Sequence, residues 1–299
     1  MFDALIEPGD HGVGVAFTDR LDGVSSPPFD SLNLGRGGVD DAVAVAANFD
    51  RLRRRLGVGK IVTVAQVHGV GVLEVTPDVL DGWHDGSELG VHGATGVPLT
   101  EADAMVTRLP GVALCIRAAD CLPVVLADSS AGVIAAAHAG RVGLLAGVLP
   151  ATVDAMRRLG AQSIHAWVGP GICGRCYEVP ANMAADAWAQ LPATKAQTTW
   201  GTPSIDLPAG AVVQLQDAGV AVTDLGHCTF ETPTLYSHRR DKGATGRQAG
   251  LVWRTDPSSA IVDLFGCLPK PAHTTSDEQS QHAVASALLD DDDRIRAGR

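Results

Sequence analysis

Short apolar runs separated by turn-forming residues predict a succession of strands along the chain. These strands are expected at 12–17, 61–67, 102–107, 111–116, 164–168, 220–225 and 246–253. Apolar residues at helical spacing predict the intervening helices, at 40–56, 142–159, 180–191 and 209–218. The first of these helices also has acids at its start, arginines in its last turn and Gly57 as a stop signal.

Two neighbouring apolar runs, 122–126 and 132–137, predict a β-hairpin because only a turn signal around Asp128 separates them. An antiparallel pair brings the start of the first strand close to the end of the second. Cys121 begins the first run and His138 ends the second, so a thiol and an imidazole share one end of the hairpin. Such a pair supports either metal ligation or a Cys/His nucleophilic site.

A third donor for this site follows the run 61–67, where His68 precedes a glycine. A lone histidine at a strand end is more often structural. A metal site, however, needs a third ligand, and His68 together with Cys121 and His138 supplies one. The residues favour metal ligation and leave the nucleophilic pair open.

Candidate contacts to an anion come from two further segments. Arg141 lies at a predicted strand-to-helix junction, where unpaired backbone N–H groups favour phosphate or carboxylate. Arg239 and Arg240 follow Tyr236 and could clamp a phosphate, stack on a base or form surface salt bridges. Asn33, flanked by two leucines, is either a turn residue or a ligand-binding amide.

A Cys-x-x-Cys sequence, Cys173 to Cys176, suggests zinc or redox chemistry. A structural zinc site needs a second ligand pair at suitable spacing, and none is recognisable in the sequence that follows. We therefore interpret the pair as part of a glycine-rich binding loop, with reversible disulfide formation as the lesser alternative.

Composition narrows the class of protein. The net charge of −11 and the pI of about 5.2 argue against a general nucleic-acid binder. The start of the chain lacks a signal-peptide pattern, and no apolar run reaches the length of about 18 residues that a membrane span requires. These features predict a soluble cytoplasmic protein with no membrane partner, and its six cysteines are expected to be reduced. A folded region 1–254 and an acidic, poorly ordered tail 255–299 are predicted from the change of composition after Arg254.

Five motifs in order closely resemble the YfiH family, which is also labelled laccase-domain or multicopper polyphenol oxidase. They are Asp30-Ser31-Leu32-Asn33-Leu34-Gly35, Gln66-Val67-His68-Gly69, Ala119-Asp120-Cys121-Leu122-Pro123-Val124, Ala137-His138-Ala139-Gly140 and Tyr236-Ser237-His238-Arg239-Arg240-Asp241. The resemblance covers roughly Gly12 to Arg254. It implies a single catalytic domain of mixed α/β (α+β) class, in which helices cover mixed β-sheets.

The resemblance further implies a zinc held by His68, Cys121 and His138, with copper as an alternative metal. Three ligands leave one position of a tetrahedral zinc open, as in catalytic sites. The activity it implies is phosphate-dependent cleavage of adenosine, inosine and S-methyl-5'-thioadenosine, with adenosine deamination as a side activity. Purine nucleosides and phosphate are then the expected partners.

Within this reading, Asp120 and Glu178 are the nearest carboxylates by motif for proton transfer, and Asp120 could instead orient His138. Substrate binding is assigned to Asn33, Arg141, Tyr177, Arg239 and Arg240. Three rival functions stay open: a metal-free Cys/His hydrolase or amidase acting on cell-wall precursors, a copper-dependent polyphenol oxidase, and a non-enzymatic nucleotide-binding domain. Multicopper oxidation fits least well, because it needs a large histidine cluster and the chain has 10 histidines with few in motifs.

Overall fold

Two mixed β-sheets form the centre of the fold in a computed structural model that describes residues 1–9, 12–35, 40–81 and 100–255. The strands are β1 Phe2–Ile6, β2 Val13–Thr18, β3 Lys60–Val62, β4 Val72–Glu74, β5 Ala104–Thr107, β6 Val112–Ala118, β7 Leu122–Asp128, β8 Val133–Ala139, β9 His165–Val168, β10 Lys195–Gln197, β11 Pro203–Ile205, β12 Ala221–Asp224 and β13 Gln248–Arg254. The helices are α1 Ala42–Leu56, α2 Pro77–Asp81, α3 Arg141–Ala146, α4 Val148–Arg158, α5 Ala181–Gln190 and α6 Leu207–Asp217.

The two sheets pack face to face, and helices cover their outer faces. The first sheet has the order β1-β2-β13-β6-β3 and the second the order β12-β9-β7-β8-β5-β4, while β10 and β11 form a separate pair. Apolar side chains of β2, β6 and β13 pack with those of β7 and β8 between the sheets. Helix α1 lies on the outer face of the first sheet, and α4, α5 and α6 pack on the second. The mixed α/β fold implied by the family resemblance is therefore confirmed.

Strand β8 shows why the central runs are apolar without interruption. Val133, Ala135 and Ala137 face the helices, whereas Ile134 and Ala136 face the other sheet. A strand covered on both faces has no solvated side, so it does not alternate polar and apolar residues. The small alanines let the layers approach closely in a chain that has only 4% aromatic residues.

The predicted hairpin is confirmed as β7 and β8. The two strands pair antiparallel with Pro123 opposite His138 and Asp128 opposite Val133. Asp128 is 1% exposed, and its carboxylate accepts hydrogen bonds from Ser130 and Ala131 in the turn and from Gln162 and Ser163 before β9. Burial raises the pKa of this carboxyl, but the hydrogen bonds outweigh that effect and hold its pKa well below the usual range.

The helix predictions are confirmed with one change. Helix α1 begins after Asp41, whose side chain caps the backbone N–H of Val43, and ends at Gly57 in the left-handed conformation. The segment predicted as one helix over 142–159 is two, α3 and α4, because Gly147 adopts φ 92° between them. Short strands without a clear period, namely β1, β4, β10 and β11, were not predicted from the sequence.

The strand predicted at 61–67 ends earlier, at Val62 in β3. Beyond it, the side chain of Gln66 replaces a backbone ladder, since its amide donates to the carbonyl of Arg117 at 2.8 Å and accepts from the N–H of Arg117 at 3.0 Å. The chain is thereby held beside β6 while its backbone turns away toward His68.

Several predictions concern residues outside the described ranges, including the acidic tail beyond Thr255 and Cys267 within it. The described part of the chain contains no helix that is both long and apolar enough to cross a membrane. No disulfide joins any of the five cysteines in that part.

Candidate functional site

Cys121 and His138 meet at the open end of the β7–β8 hairpin, as the sequence predicted. His138 is 3% exposed near the end of β8, and Cys121 directly precedes β7. The antiparallel register pairs Leu122 with Ala139 and Pro123 with His138. Cys121, which directly precedes Leu122, therefore lies beside the end of β8. The hairpin therefore brings two of the three donors together.

His68 reaches the same place through a tight loop folded around the carboxylate of Asp103. Three consecutive backbone N–H groups donate to that carboxylate: Val67 at 3.2 Å, His68 at 2.9 Å and Gly69 at 2.6 Å. Successive N–H groups that converge on one anion form a concave nest, which is consistent with φ 61° at His68. An exposed histidine after a strand is thus held by a fully buried acid.

The same carboxylate orients His138. Asp103 Oδ1 lies 2.8 Å from His138 Nδ1, so Nδ1 carries the proton and Nε2 presents its lone pair toward the other donors. Burial raises the pKa of Asp103, but the hydrogen bonds from His138, Gly69 and His68 outweigh burial and lower it. The alternative that Asp120 orients His138 is wrong, because Asp103 occupies that position. Sequence reasoning missed Asp103, which sits in an ordinary short strand motif.

The three donor atoms lie within 4.8 Å of one another, and Cys121 Sγ is 3.8 Å from His68 Nε2. Burial raises the pKa of the Cys121 thiol, but hydrogen bonds with His138 and His68 reverse this and lower it to about 6. The pKa of His138 is lowered by burial and raised more by Asp103 and Cys121, to about 9.

Gly140 allows this close approach. A Cβ atom there would lie 2.8 Å from His68 Cδ2 and 3.0 Å from Cys121 Sγ, which is closer than carbon atoms pack. Its φ of −74° is accessible to any residue, so the requirement for glycine is steric and concerns the two ligands.

The donor set fits zinc. Zinc bonds of about 2.3 Å to sulfur and 2.0–2.1 Å to nitrogen give a tetrahedral S–N edge of about 3.5 Å, close to the 3.8 Å between Cys121 and His68. Two imidazoles and a thiolate also suit copper, so the donors leave the choice between the two metals open. What the geometry supports is a metal site of three protein ligands.

A cleft of about 1070 Å³ opens beside these donors. Its lining includes aromatic, proline and arginine side chains besides the three donors. The full set of lining residues is Pro27, Pro28, Phe29, Asn33, Gly35, Asp40, Ala65, Gln66, His68, Arg117, Ala118, Ala119, Asp120, Cys121, His138, Arg141, Ile172, Tyr177, Leu207, His238, Arg239, Gly243, Ala244, Thr245 and Arg247. A cavity of this size holds a ligand larger than a nucleoside alone.

Four arginines line the cleft, two of which the sequence singled out. Arg141 and Arg239 are there as expected, and Arg117 and Arg247 join them. Arg117 donates to the Val64 carbonyl, its Nε has no partner, and burial lowers its pKa, with the charge of Arg247 adding to that effect. Within the described residues none of the four forms an ion pair. Nothing in the sequence pattern around Arg117, a strand residue, marked it as a cleft residue.

Arg240 lies elsewhere. Its guanidinium donates to the backbone carbonyls of Thr229, Thr232 and Leu235 and to Asp241, and it does not line the cleft. The substrate-binding assignment of Arg240 is therefore corrected to a structural one, in which it holds its own loop.

Tyr177 and Asn33 both line the cleft. The ring of Tyr177 is half-buried, and the Arg239 guanidinium lies 5.2 Å from its centroid. Burial raises the pKa of the Tyr177 hydroxyl. Asn33 is 2% exposed. Its side-chain NH₂ donates to the Asp40 carboxylate, and its side-chain oxygen accepts from the N–H groups of Gly35 and Arg247. Asn33 thus braces the wall that carries Arg247.

The two candidate carboxylates have different positions. Asp120 lines the cleft, and its oxygens accept from the hydroxyls of Thr229 and Ser237 and from the backbone N–H of Arg239. Glu178 is exposed, and its carboxylate accepts a hydrogen bond from Trp200 Nε1 at 2.8 Å. It is not part of the cleft lining. Of these two carboxylates, only Asp120 lines the cleft.

Fold and site together define an α/β protein with a His–Cys–His candidate metal centre in an arginine-lined cleft. Residues 14–255 match the family model described as multi-copper polyphenol oxidoreductase laccase, and the chain belongs to this family. It is 46% identical over 250 residues to a purine nucleoside phosphorylase of Streptomyces coelicolor, covering 81% of this chain and 96% of that protein.

A purine nucleoside phosphorylase of Mycobacterium tuberculosis is 45% identical over 241 residues, which cover 79% of this chain and 90% of that one. Among solved structures, the hypothetical protein YfiH of Bacillus licheniformis superposes with a TM-score of 0.74 at 27% identity, covering 85% of this chain and 98% of YfiH. The family and the fold that the sequence motifs implied are confirmed by these similarities.

Proposed function

We propose that this protein is a zinc-dependent purine nucleoside phosphorylase acting on adenosine, inosine and S-methyl-5'-thioadenosine. One observation carries the proposal: four arginines without a carboxylate partner, among the described residues, line the same cleft as the His68–Cys121–His138 donors. Unpaired guanidinium groups in a partly buried cleft favour a phosphate. The names of the similar proteins point to the same activity.

The arginine-lined wall would bind phosphate, and the overall charge of −11 makes this local positive region distinctive. Tyr177 and Phe29 offer aromatic surfaces for a purine in the same cleft. A phosphate oxygen would then bond to the anomeric carbon of the ribose as the bond to the purine nitrogen breaks, giving ribose 1-phosphate and a base that takes up a proton.

A zinc held by His68, Cys121 and His138 would supply Lewis-acid polarisation and a template for an oxygen nucleophile. Asp103 would fix the ligand geometry through His138 and the His68 loop. Asp120 remains the candidate for proton transfer at the cleft, and through the N–H of Arg239 it also positions that residue. Glu178 has no part in this proposal because it does not line the cleft.

The proposal is tested by incubating zinc-loaded protein with each nucleoside, with and without phosphate, and separating the products by chromatography. We expect free base and a pentose 1-phosphate only when phosphate is present. Conversion of adenosine to inosine without phosphate would reveal the deaminase side activity that the family resemblance implies. Absence of turnover of all three nucleosides would refute the phosphorylase proposal and favour nucleotide binding alone.

A metal-free thiol hydrolase is the second candidate, because His138 bridges Cys121 and Asp103 in the order of a nucleophile, base and orienting acid. Exhaustive chelation separates the two functions. Nucleoside cleavage should be lost on chelation and restored by added zinc. Amide hydrolysis that survives chelation, and disappears in a Cys121→Ala variant, would instead support the thiol mechanism.

A further inference from the structure

A second cluster of metal-ligating side chains lies away from His68, Cys121 and His138. Cys173, Cys176, Cys228 and Glu231 each offer one donor atom, and these four atoms lie within 4.8 Å of one another. The second ligand pair that the sequence did not reveal is Cys-x-x-Glu, about fifty residues after Cys-x-x-Cys. We propose that this cluster is a structural zinc site, distinct from the catalytic centre.

Two tight turns present the ligands in pairs. The N–H groups of Cys176 and Tyr177 both donate to the Cys173 carbonyl at 3.0 Å, so Cys173 and Cys176 project from one turn. The N–H of Thr232 donates to the Cys228 carbonyl at 3.0 Å and closes the turn that carries Glu231. Ligands separated by two residues on a tight turn are the usual pairing in zinc sites built by two loops.

The two turns are joined directly to each other. Gly171 forms a parallel β-bridge with Cys228, in which the Gly171 N–H donates to His227 and the Thr229 N–H donates to Gly171. Cys176 and Cys228 are 3% and 5% exposed and pack with Ile172. The thiols are therefore brought together by backbone pairing, and a metal would need only small side-chain movements to bind.

Charge and hydrogen bonding suit a cation there. Three thiolates and one carboxylate would carry four negative charges against the two of zinc. The Cys173 N–H lies 3.5 Å from Cys228 Sγ, so a backbone donor faces one of the three sulfur atoms. The Arg175 guanidinium, 3.2 Å from Glu231, offsets a further charge. Thiolate-rich donors select zinc over magnesium or calcium.

The site would tie together two loops of the cleft wall. Tyr177 directly follows Cys176, and the loop that begins at Cys228 supplies Thr229 and Ser237 to Asp120 and continues to Arg239. Stabilising both loops at their junction would hold Tyr177 and Arg239 in place. The role is structural, because all four positions of a tetrahedral zinc would be filled by protein ligands.

Metal stoichiometry tests the proposal without reference to enzymatic activity. Protein produced with zinc and then desalted is analysed by elemental mass spectrometry. We expect two zinc ions per chain in the wild type, one in a His68→Ala/Cys121→Ser/His138→Ala variant and one in a Cys176→Ser/Cys228→Ser variant. The matched control Cys115→Ala, which removes a buried thiol outside both clusters, should keep two.

Cobalt provides a second readout if the double cysteine variant fails to fold. In the His68→Ala/Cys121→Ser/His138→Ala variant, bound Co²⁺ should give a thiolate-to-cobalt charge-transfer band. Adding Glu231→Gln to this variant should weaken cobalt binding about tenfold or more. The proposal is overturned if the triple variant binds neither zinc nor cobalt. It is equally overturned if alkylation of the unreduced wild type leaves a disulfide among Cys173, Cys176 and Cys228.

Discussion

Asp103 is the residue whose replacement most directly tests how the candidate metal centre is built. In Asp103→Asn, an NH₂ group replaces one carboxylate oxygen. If that group faces the loop, it meets the N–H donors of Val67 and Gly69. If it faces His138, it meets the Nδ1 proton. Either orientation sets donor against donor at a position that is fully buried.

The magnitude follows from these contacts. Hydrogen bonds to a charged group contribute about 1.5–3 kcal/mol each, and a buried donor left unpaired costs about 1–3 kcal/mol. Losing one side of the Asp103 carboxylate should therefore lower the free energy of unfolding by about 3 kcal/mol. Because His138 and His68 also lose their orientation, we expect zinc affinity to fall about 10–100-fold.

Zinc affinity is measured by competition with a chromogenic chelator, and stability by urea unfolding of the metal-free protein. The matched control is Asp128→Asn, which alters another buried carboxylate with four hydrogen-bond donors but contacts none of the three ligands. It should lose stability and keep zinc affinity. Wild-type zinc affinity in a folded Asp103→Asn protein would refute the argument that this acid orients the ligands.

Three other predictions concern single positions. Gly140→Ala should keep the fold by circular dichroism and reduce zinc affinity at least tenfold, because its Cβ would contact His68 and Cys121; unchanged affinity in the competition assay would contradict this. Arg247→Ala should raise the KM for phosphate about tenfold or more in steady-state kinetics, whereas the exposed control Arg158→Ala should leave it unchanged. Equal effects of the two substitutions would argue against a phosphate site. The pKa of Asp128 is depressed in the folded state, so the stabilisation from its carboxylate is present above the unfolded pKa of about 4 and is lost as pH falls below that value. The free energy of unfolding should therefore differ between wild type and Asp128→Asn by about 2 kcal/mol at pH 7, and this difference should shrink in acid. A difference that does not depend on pH would refute the prediction.

Local sequence patterns determined the elements that carry the site. The two apolar runs and the turn at Asp128 were enough to predict the β7–β8 hairpin and the meeting of Cys121 with His138. Both depend on residues less than twenty positions apart, and strand periodicity and turn chemistry act over that range. Helix α1 was predicted for the same reason, from its capping residues and spacing.

Contacts between distant segments were decided only by the tertiary structure. Asp103 lies 35 residues from both His68 and His138, and its role depends on packing of β5 beside β8. Arg117 and Arg247 reach the cleft because β6 pairs with β13, which no local pattern encodes.

The cysteine clusters illustrate the difference most clearly. The sequence predicted that Cys121 meets a histidine, since His138 follows within one hairpin. It left Cys173 and Cys176 without partners, because Cys228 and Glu231 join them through the bridge between Gly171 and Cys228. Residue types and local spacing determined which side chains can bind a metal, and pairing of segments far apart in the chain decided which of them come together.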